Sequence, residues 1–84
     1  MPYSIRIKGS ALKEIRRLLA ADRARVVAAI DGLRHNPLAG TQLKGQLTGL
    51  RRIRVGTIRI IYEVRNQELV VLVLRVGHRR DIYR

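Results

Sequence analysis

The segment Leu50-Arg51-Arg52-Ile53-Arg54-Val55-Gly56-Thr57-Ile58-Arg59 places four arginines around a single glycine. Guanidinium is a planar fork of five donors that never deprotonates, so it grips anions and does not act as a base. Two such forks side by side suit a phosphate, which each can hold through paired hydrogen bonds. The chain ends on a second dense group, His78-Arg79-Arg80-Asp81-Ile82-Tyr83-Arg84. An imidazole is the side chain best suited to move protons near neutrality. A phenol ring beside arginines can stack on a nucleobase. Together these residue types fit phosphate chemistry on a polyanion.

Those arginines need a rigid support, and the residues between them supply one. Apolar and polar residues alternate on both sides of Gly56-Thr57 as far as Val64, the period of a β-hairpin. Glycine at the first of two loop positions fits a type II′ turn, whose first central residue needs φ > 0. The register follows from that loop. Val55 faces Ile58, Arg54 faces Arg59, Ile53 faces Ile60, Arg52 faces Ile61 and Arg51 faces Tyr62. Directly opposed residues share a face. Val55, Ile58, Ile53, Ile60 and Tyr62 form a core face, and the other face sets Arg54 against Arg59 with Arg52 two residues along. Like charges directly opposed destabilise a hairpin, and an anion between them reverses the sign. The residues alone leave two readings open, an anion clamp or two solvated arginines.

The other elements are read in order. Tyr3 to Lys8 alternates as a strand with Tyr3, Ile5 and Ile7 on one side. Ser10 can cap a helix from Ala11 to about Ala21, with Leu12, Ile15, Leu18 and Leu19 as its apolar stripe. Asp22 can cap a second helix, about Arg23 to His35, which Asn36-Pro37 ends. Each is too short to stand alone, and together they read as an antiparallel pair. Leu38 to Leu47 reads as a loop carrying Lys44. Leu69 to Leu74 is an unbroken apolar run, expected as a strand buried on both faces near the middle of the sheet. The expected order is β-α-α-β-β-β. This is an α+β domain over residues 1–84, with the helix pair packed on one face of a small, mainly antiparallel sheet.

Composition narrows the partners. The 84 residues allow one domain with a small core. Lys+Arg number 18 against 6 Asp+Glu, a formal charge of +12, and 15 of the 18 are arginine. Such a field attracts polyanions, so nucleic acid is the first partner class and an acidic protein the second. There is no cysteine, hence no disulfide and no thiol nucleophile. His35 and His78 lie far apart among scattered acids, so no metal site and no cofactor are expected. Met1-Pro2-Tyr3 runs straight into a strand pattern, so no leader is expected, and no apolar run is long enough to span a bilayer. A cytoplasmic location is therefore expected, and no membrane partner.

Three phrases resemble the RelE/ParE superfamily of type II toxins: Leu43-Lys44-Gly45, the stretch Arg52 to Val64, and Val76-Gly77-His78 through Arg84. The resemblance covers essentially the whole chain. It implies a toxin held inactive by an acidic or amphipathic antitoxin in a hetero-oligomer. RelE-like members cut mRNA in the ribosomal A site, whereas ParE-like members poison DNA gyrase and usually lack the basic and aromatic catalytic set. By resemblance Arg59 grips the scissile phosphate, Arg79 supports the phosphate or leaving group, and Tyr83 stacks on a base. Arg52, Arg54 and His78 complete the expected catalytic set, with Lys44, Arg51, Arg80 and Arg84 along the RNA. This favours the RelE branch. The alternatives are a ParE-like gyrase poison and a small basic nucleic-acid-binding module.

The chain also departs from the RelE pattern. Many ribosome-dependent members carry two lysines before the turn, and the best-matching positions here are Leu50 and Arg52. Ile82 stands where other members have a histidine before the terminal tyrosine. With so few bases, much of the rate is expected from the ribosome's positioning of the 2′-OH.

Overall fold

The computed structural model of the chain describes residues 2–79. Gly56 takes a φ of 60°, and Thr57 is not among the residues with positive φ. That is the pattern of a type II′ turn. The turn joins β3 (Leu50–Val55) to β4 (Ile58–Arg65). The observed partners run from Val55↔Ile58 through Arg54↔Arg59 and Ile53↔Ile60 to Arg51↔Tyr62 and Leu50↔Glu63. This is the register expected from the loop.

β4 is the central strand. The sheet runs β1-β5-β4-β3-β2, with β1 at Ser4–Ile7, β2 at Thr41–Gln42 and β5 at Val70–His78. All neighbours are antiparallel except β1 and β5. The helices α1 (Gly9–Arg16) and α2 (Ala20–Gly32) carry the chain from the β1 edge to the β2 edge, and β2, β3 and β4 then lead back to β5 beside β1. They pack Ala11, Ile15, Val26 and Ile30 onto Ile58, Ile60, Val73 and Val76, while Leu33 joins Tyr62 and Val71. No helix among the described residues is long and apolar enough to cross a membrane.

Three details differ from the expectation. First, α1 ends at Arg16 and α2 begins at Ala20, without side-chain caps from Ser10 or Asp22. Arg23, inside α2, donates to the carbonyls of Leu18 at 2.8 Å, Arg16 at 3.0 Å and Ile15 at 3.4 Å. One cation thereby satisfies the orphan acceptors at the end of α1 and matches its dipole, which lets that helix stop early. Leu19 then falls in the bend and is 77% exposed.

Second, β5 is interior but not equally buried on its two sides. Val71 and Val73 are buried against the helices, whereas Leu72 and Leu74 are half-buried on the other face. A register shift between Ile61 and Tyr62 changes its pairing with β4 part-way along. β1 reaches only as far as Val73. Beyond it Glu14 accepts the Val76 N–H at 3.0 Å and pairs with Arg75 at 3.3 Å, so a carboxylate from α1 closes that edge.

Third, the 38–47 stretch is not all loop. Thr41–Gln42 forms the edge strand β2, and Gly45–Leu47 forms one 3-10 turn. β2 is held by Tyr62, fully buried on β4, whose hydroxyl donates to the Pro37 carbonyl at 2.8 Å and accepts the Gly40 N–H at 2.9 Å. A Cβ on Gly40 would lie 2.6 Å from that hydroxyl and 2.8 Å from the Arg52 carbonyl oxygen. Gly40 therefore permits close approach and is not needed for an unusual φ. Gly40→Ala is expected to lower stability by about 1–3 kcal/mol, the usual cost of overpacking. Urea denaturation reads it, and an unchanged midpoint would show that the loop yields freely.

Candidate functional site

The face of the sheet turned away from the helices carries the arginines. Leu43 N–H donates to the Leu50 carbonyl at 3.0 Å. Main-chain groups alternate in direction along an antiparallel strand. Those of Leu50, Arg52 and Arg54 therefore point toward the β2 side, and those of Arg51, Ile53 and Val55 toward β4. Arg54 and Arg59 are consequently a non-hydrogen-bonded pair, the type in which opposed Cα atoms approach to about 4.5 Å. On the other side of β4, Arg59 faces Gly77, which brings no side chain. Arg52 lies in the next row, flanked by Thr41 on β2 and Ile61 on β4.

Burial separates the two partners of the pair. Arg54 is exposed, whereas Arg59 is only 8% exposed and is the one buried charged residue among those described. It lies on the central strand, between β3 and β5. The burial reaches the guanidinium, whose Nε is covered, so the side chain is ordered by its surroundings. A charge directed by the fold needs little reorganisation when it meets an anion.

The structure does not bring all the expected residues together. Arg51 shares the helix-side face with Tyr62, and its Nη1 donates to the Gly40 carbonyl at 2.7 Å and the Leu38 carbonyl at 3.3 Å. It is a staple for the loop, placed away from the other arginines. The signal was in the sequence, because a residue directly opposite Tyr62 must share its face. Lys44 is exposed at the start of the 3-10 turn, beside the Leu50 end of β3. Arg54 lies four residues along that strand, about 13 Å away.

His78 is opposite Ile58, so alternation turns it to the helix side. Its Nδ1 is 3.3 Å from the Thr57 hydroxyl. It borders a cavity of about 410 Å³ that Glu14, Leu18, Leu19 and Asp22 also line. The expected proton donor or acceptor is thus separated by the sheet from the Arg54–Arg59 pair. Glu63 is on the arginine face but bonds Arg65 Nε at 2.6 Å. It sits four residues along β4 from Arg59, about 13 Å.

Arg79 is exposed directly after β5. Arg80, Asp81, Tyr83 and Arg84 lie outside the described residues. No group of three His, Cys, Asp or Glu able to hold a metal occurs among the described residues.

Comparison with known proteins places this geometry in a family. The model of the ParE toxin of the type II toxin-antitoxin system parDE matches residues 5–83. Toxin RelG of Mycobacterium tuberculosis is 37% identical over 86 residues, spanning 100% of this chain and 99% of that protein. Among solved structures, the RelBE2 toxin-antitoxin complex of M. tuberculosis superposes with a TM-score of 0.87 at 34% identity, covering 96% of this chain and 95% of that one. The archaeal RelE-RelB complex of Pyrococcus horikoshii gives a TM-score of 0.78 at 26% identity, covering 96% and 99%. With a family model matched across nearly all of its length and a full-length relative at this identity, the chain belongs to the RelE/ParE superfamily of type II toxin-antitoxin toxins.

Proposed function

We propose that this toxin is a metal-independent endoribonuclease that cuts mRNA on the ribosome and so arrests translation. The observation that carries the reading is the Arg54–Arg59 pair, set on the central hairpin as close neighbours facing away from the helices, with Arg52 one row along. Cleavage proceeds by attack of the ribose 2′-oxygen on the adjacent phosphorus. The 2′-O–P bond forms and the P–5′-O bond breaks. The 2′-OH loses its proton, the 5′-oxygen gains one, and negative charge builds on the phosphoryl oxygens between. Arg59 and Arg54 supply donors where that charge develops, commonly the largest contribution to catalysis of this kind. Arg79 stands at the end of β5 to support the leaving side.

These arginines cannot accept a proton, and His78 lies across the sheet from them. Rate must therefore come from charge stabilisation and from holding the 2′-oxygen in line with phosphorus, worth about 7–11 kcal/mol when geometry is ideal. The ribosome supplies that alignment in this reading, and free RNA is cut poorly.

The partner is a cognate antitoxin with an acidic or amphipathic segment, bound in a hetero-oligomer. The +12 charge of the chain and the antitoxin complexes formed by its structural relatives support this. A second reading, a ParE-like toxin acting on DNA gyrase, is favoured by the family model that matches residues 5–83.

Controlled expression of the chain in a bacterial host separates the two. The expected result is rapid loss of protein synthesis with new 5′ ends inside translated mRNA, mapped by primer extension. Intact mRNA together with a DNA-damage response would overturn the nuclease reading in favour of gyrase.

A further inference from the structure

The arginine face continues into a groove at the outer edge of β3. β2 stops at Thr41, opposite Arg52, so beyond that point the outer edge of β3 has no neighbouring strand among the described residues. A cavity of about 520 Å³ opens there, lined by Ala39, Thr41, Arg52, Ile53 and Arg54. The alternation set by the Leu43–Leu50 bond aims the main-chain N–H of Arg54 into this groove. The exposed Thr41 side chain stands on the arginine face beside Arg52, at the wall of the groove. A main-chain N–H and a hydroxyl thus share one edge with two cationic residues, Arg52 and Arg54. Cationic residues beside a main-chain N–H and a hydroxyl suit an anion.

The groove wall is held rigidly, which a solvent-exposed loop would not require. Tyr62 and Arg51 fix residues 37–40 through four hydrogen bonds, to the Pro37, Leu38 and Gly40 carbonyls and from the Gly40 N–H. Thr41 follows directly. The loop is therefore locked at the position that sets the hydroxyl against the β3 edge. β2 lies two strand spacings from β4, about 10 Å, so an extended nucleotide chain gripped at Arg59 would pass over this edge.

We propose that the groove is a second phosphate subsite for the RNA strand, holding the nucleotide next to the scissile phosphate through the Thr41 hydroxyl and the Arg54 N–H. This rests on the ribonuclease reading and extends it to a specificity-determining contact. Thr41 is a binding residue here and takes no part in bond making or breaking.

The test uses the full chain and short single-stranded RNAs made uncleavable by a 2′-deoxy sugar at the attacking position. A dinucleotide carries only the scissile phosphate. Two trinucleotides extend it by one nucleotide on either side. One of the two extensions is expected to tighten binding about tenfold, the size of one charge-assisted hydrogen bond. That gain should vanish in Thr41→Val, which keeps the shape and strand preference of the residue, and persist in Thr41→Ser, which keeps the hydroxyl. Thermal midpoints of both variants should match the parent, because the residue is exposed. If neither extension tightens binding, or the gain survives in Thr41→Val, the subsite is wrong. Dinucleotide binding that ignores Arg59→Ala would instead count against the clamp itself, a separate result from the same assay.

Discussion

Replacing Arg59 with alanine is expected to abolish growth arrest on expression and to slow mRNA cleavage on ribosomes by about 10²–10³-fold, the cost of removing one preorganised donor from a developing anion. The size follows from position. Arg59 is buried on the central strand, directly opposite Arg54 in a non-hydrogen-bonded pair. Burial therefore orders the Arg59 side chain before binding, whereas Arg54 is exposed and must be ordered on binding. Arg54→Ala should cost less for that reason. Arg59→Lys should fall in between, because an ammonium keeps the charge but loses the fork that holds two phosphoryl oxygens at once. The substitution should leave the fold intact. Like charges opposed across a hairpin destabilise it, and removing one releases that repulsion. Circular dichroism and a thermal midpoint read alongside the cleavage assay separate lost chemistry from lost structure. Full toxicity of a folded Arg59→Ala chain would remove the phosphate clamp from this face.

The largest effect on stability is expected at Tyr62. Its ring is fully buried between Leu33 and Val71, and its hydroxyl is the joint between β4 and residues 37–40. Tyr62→Ala should cost about 3–5 kcal/mol, the usual range for deleting a large buried aromatic. Small domains often hold only about 5–15 kcal/mol in total, so this variant should sit at the edge of unfolding. Tyr62→Phe keeps the ring and strips the hydroxyl, leaving the Gly40 N–H and the Pro37 carbonyl without their partner. A loss of about 1–3 kcal/mol is expected.

The pH dependence gives a second readout of the same joint. Burial pushes the Tyr62 phenol above its ordinary value of 10.0, with the Gly40 hydrogen bond and the Arg51 charge opposing part of that shift. A raised folded value means that the stabilisation is complete below the unfolded value and fades as pH climbs through the folded one. The gap between parent and Tyr62→Phe should therefore hold up to about pH 10 and narrow above it. Urea midpoints across that range read it. A Phe variant as stable as the parent would mean that the loop is held by Arg51 alone.

The hairpin was legible in the sequence because every cue for it is local. Gly56 at the first turn position fixes the loop, the loop fixes the register, and period-2 alternation then assigns each residue to a face. Arg54 opposite Arg59 follows with no knowledge of the rest of the chain. The order of the helices and of every strand but β2 was legible for the same reason, as was the packing of both helices on one side of the sheet. The RelE/ParE resemblance lay in contiguous phrases and needed no contact map.

The features made by residues far apart in sequence needed the packed chain. The end of α1 is set by Arg23 reaching back from the next helix, so local capping rules placed the boundary several residues late. β2 exists because Tyr62 and Arg51 capture residues 37–40, a stretch whose own composition reads as loop. His78 and Arg59 look like partners in a list of reactive residues. The β4–β5 register places Ile58 against His78 and Gly77 against Arg59, and one residue of register is the whole difference between two faces of a sheet. Composition and motif specify which groups a chain possesses. Only long-range pairing determines which of them share a side, because the pleat sends neighbouring residues in opposite directions and lets distant ones meet.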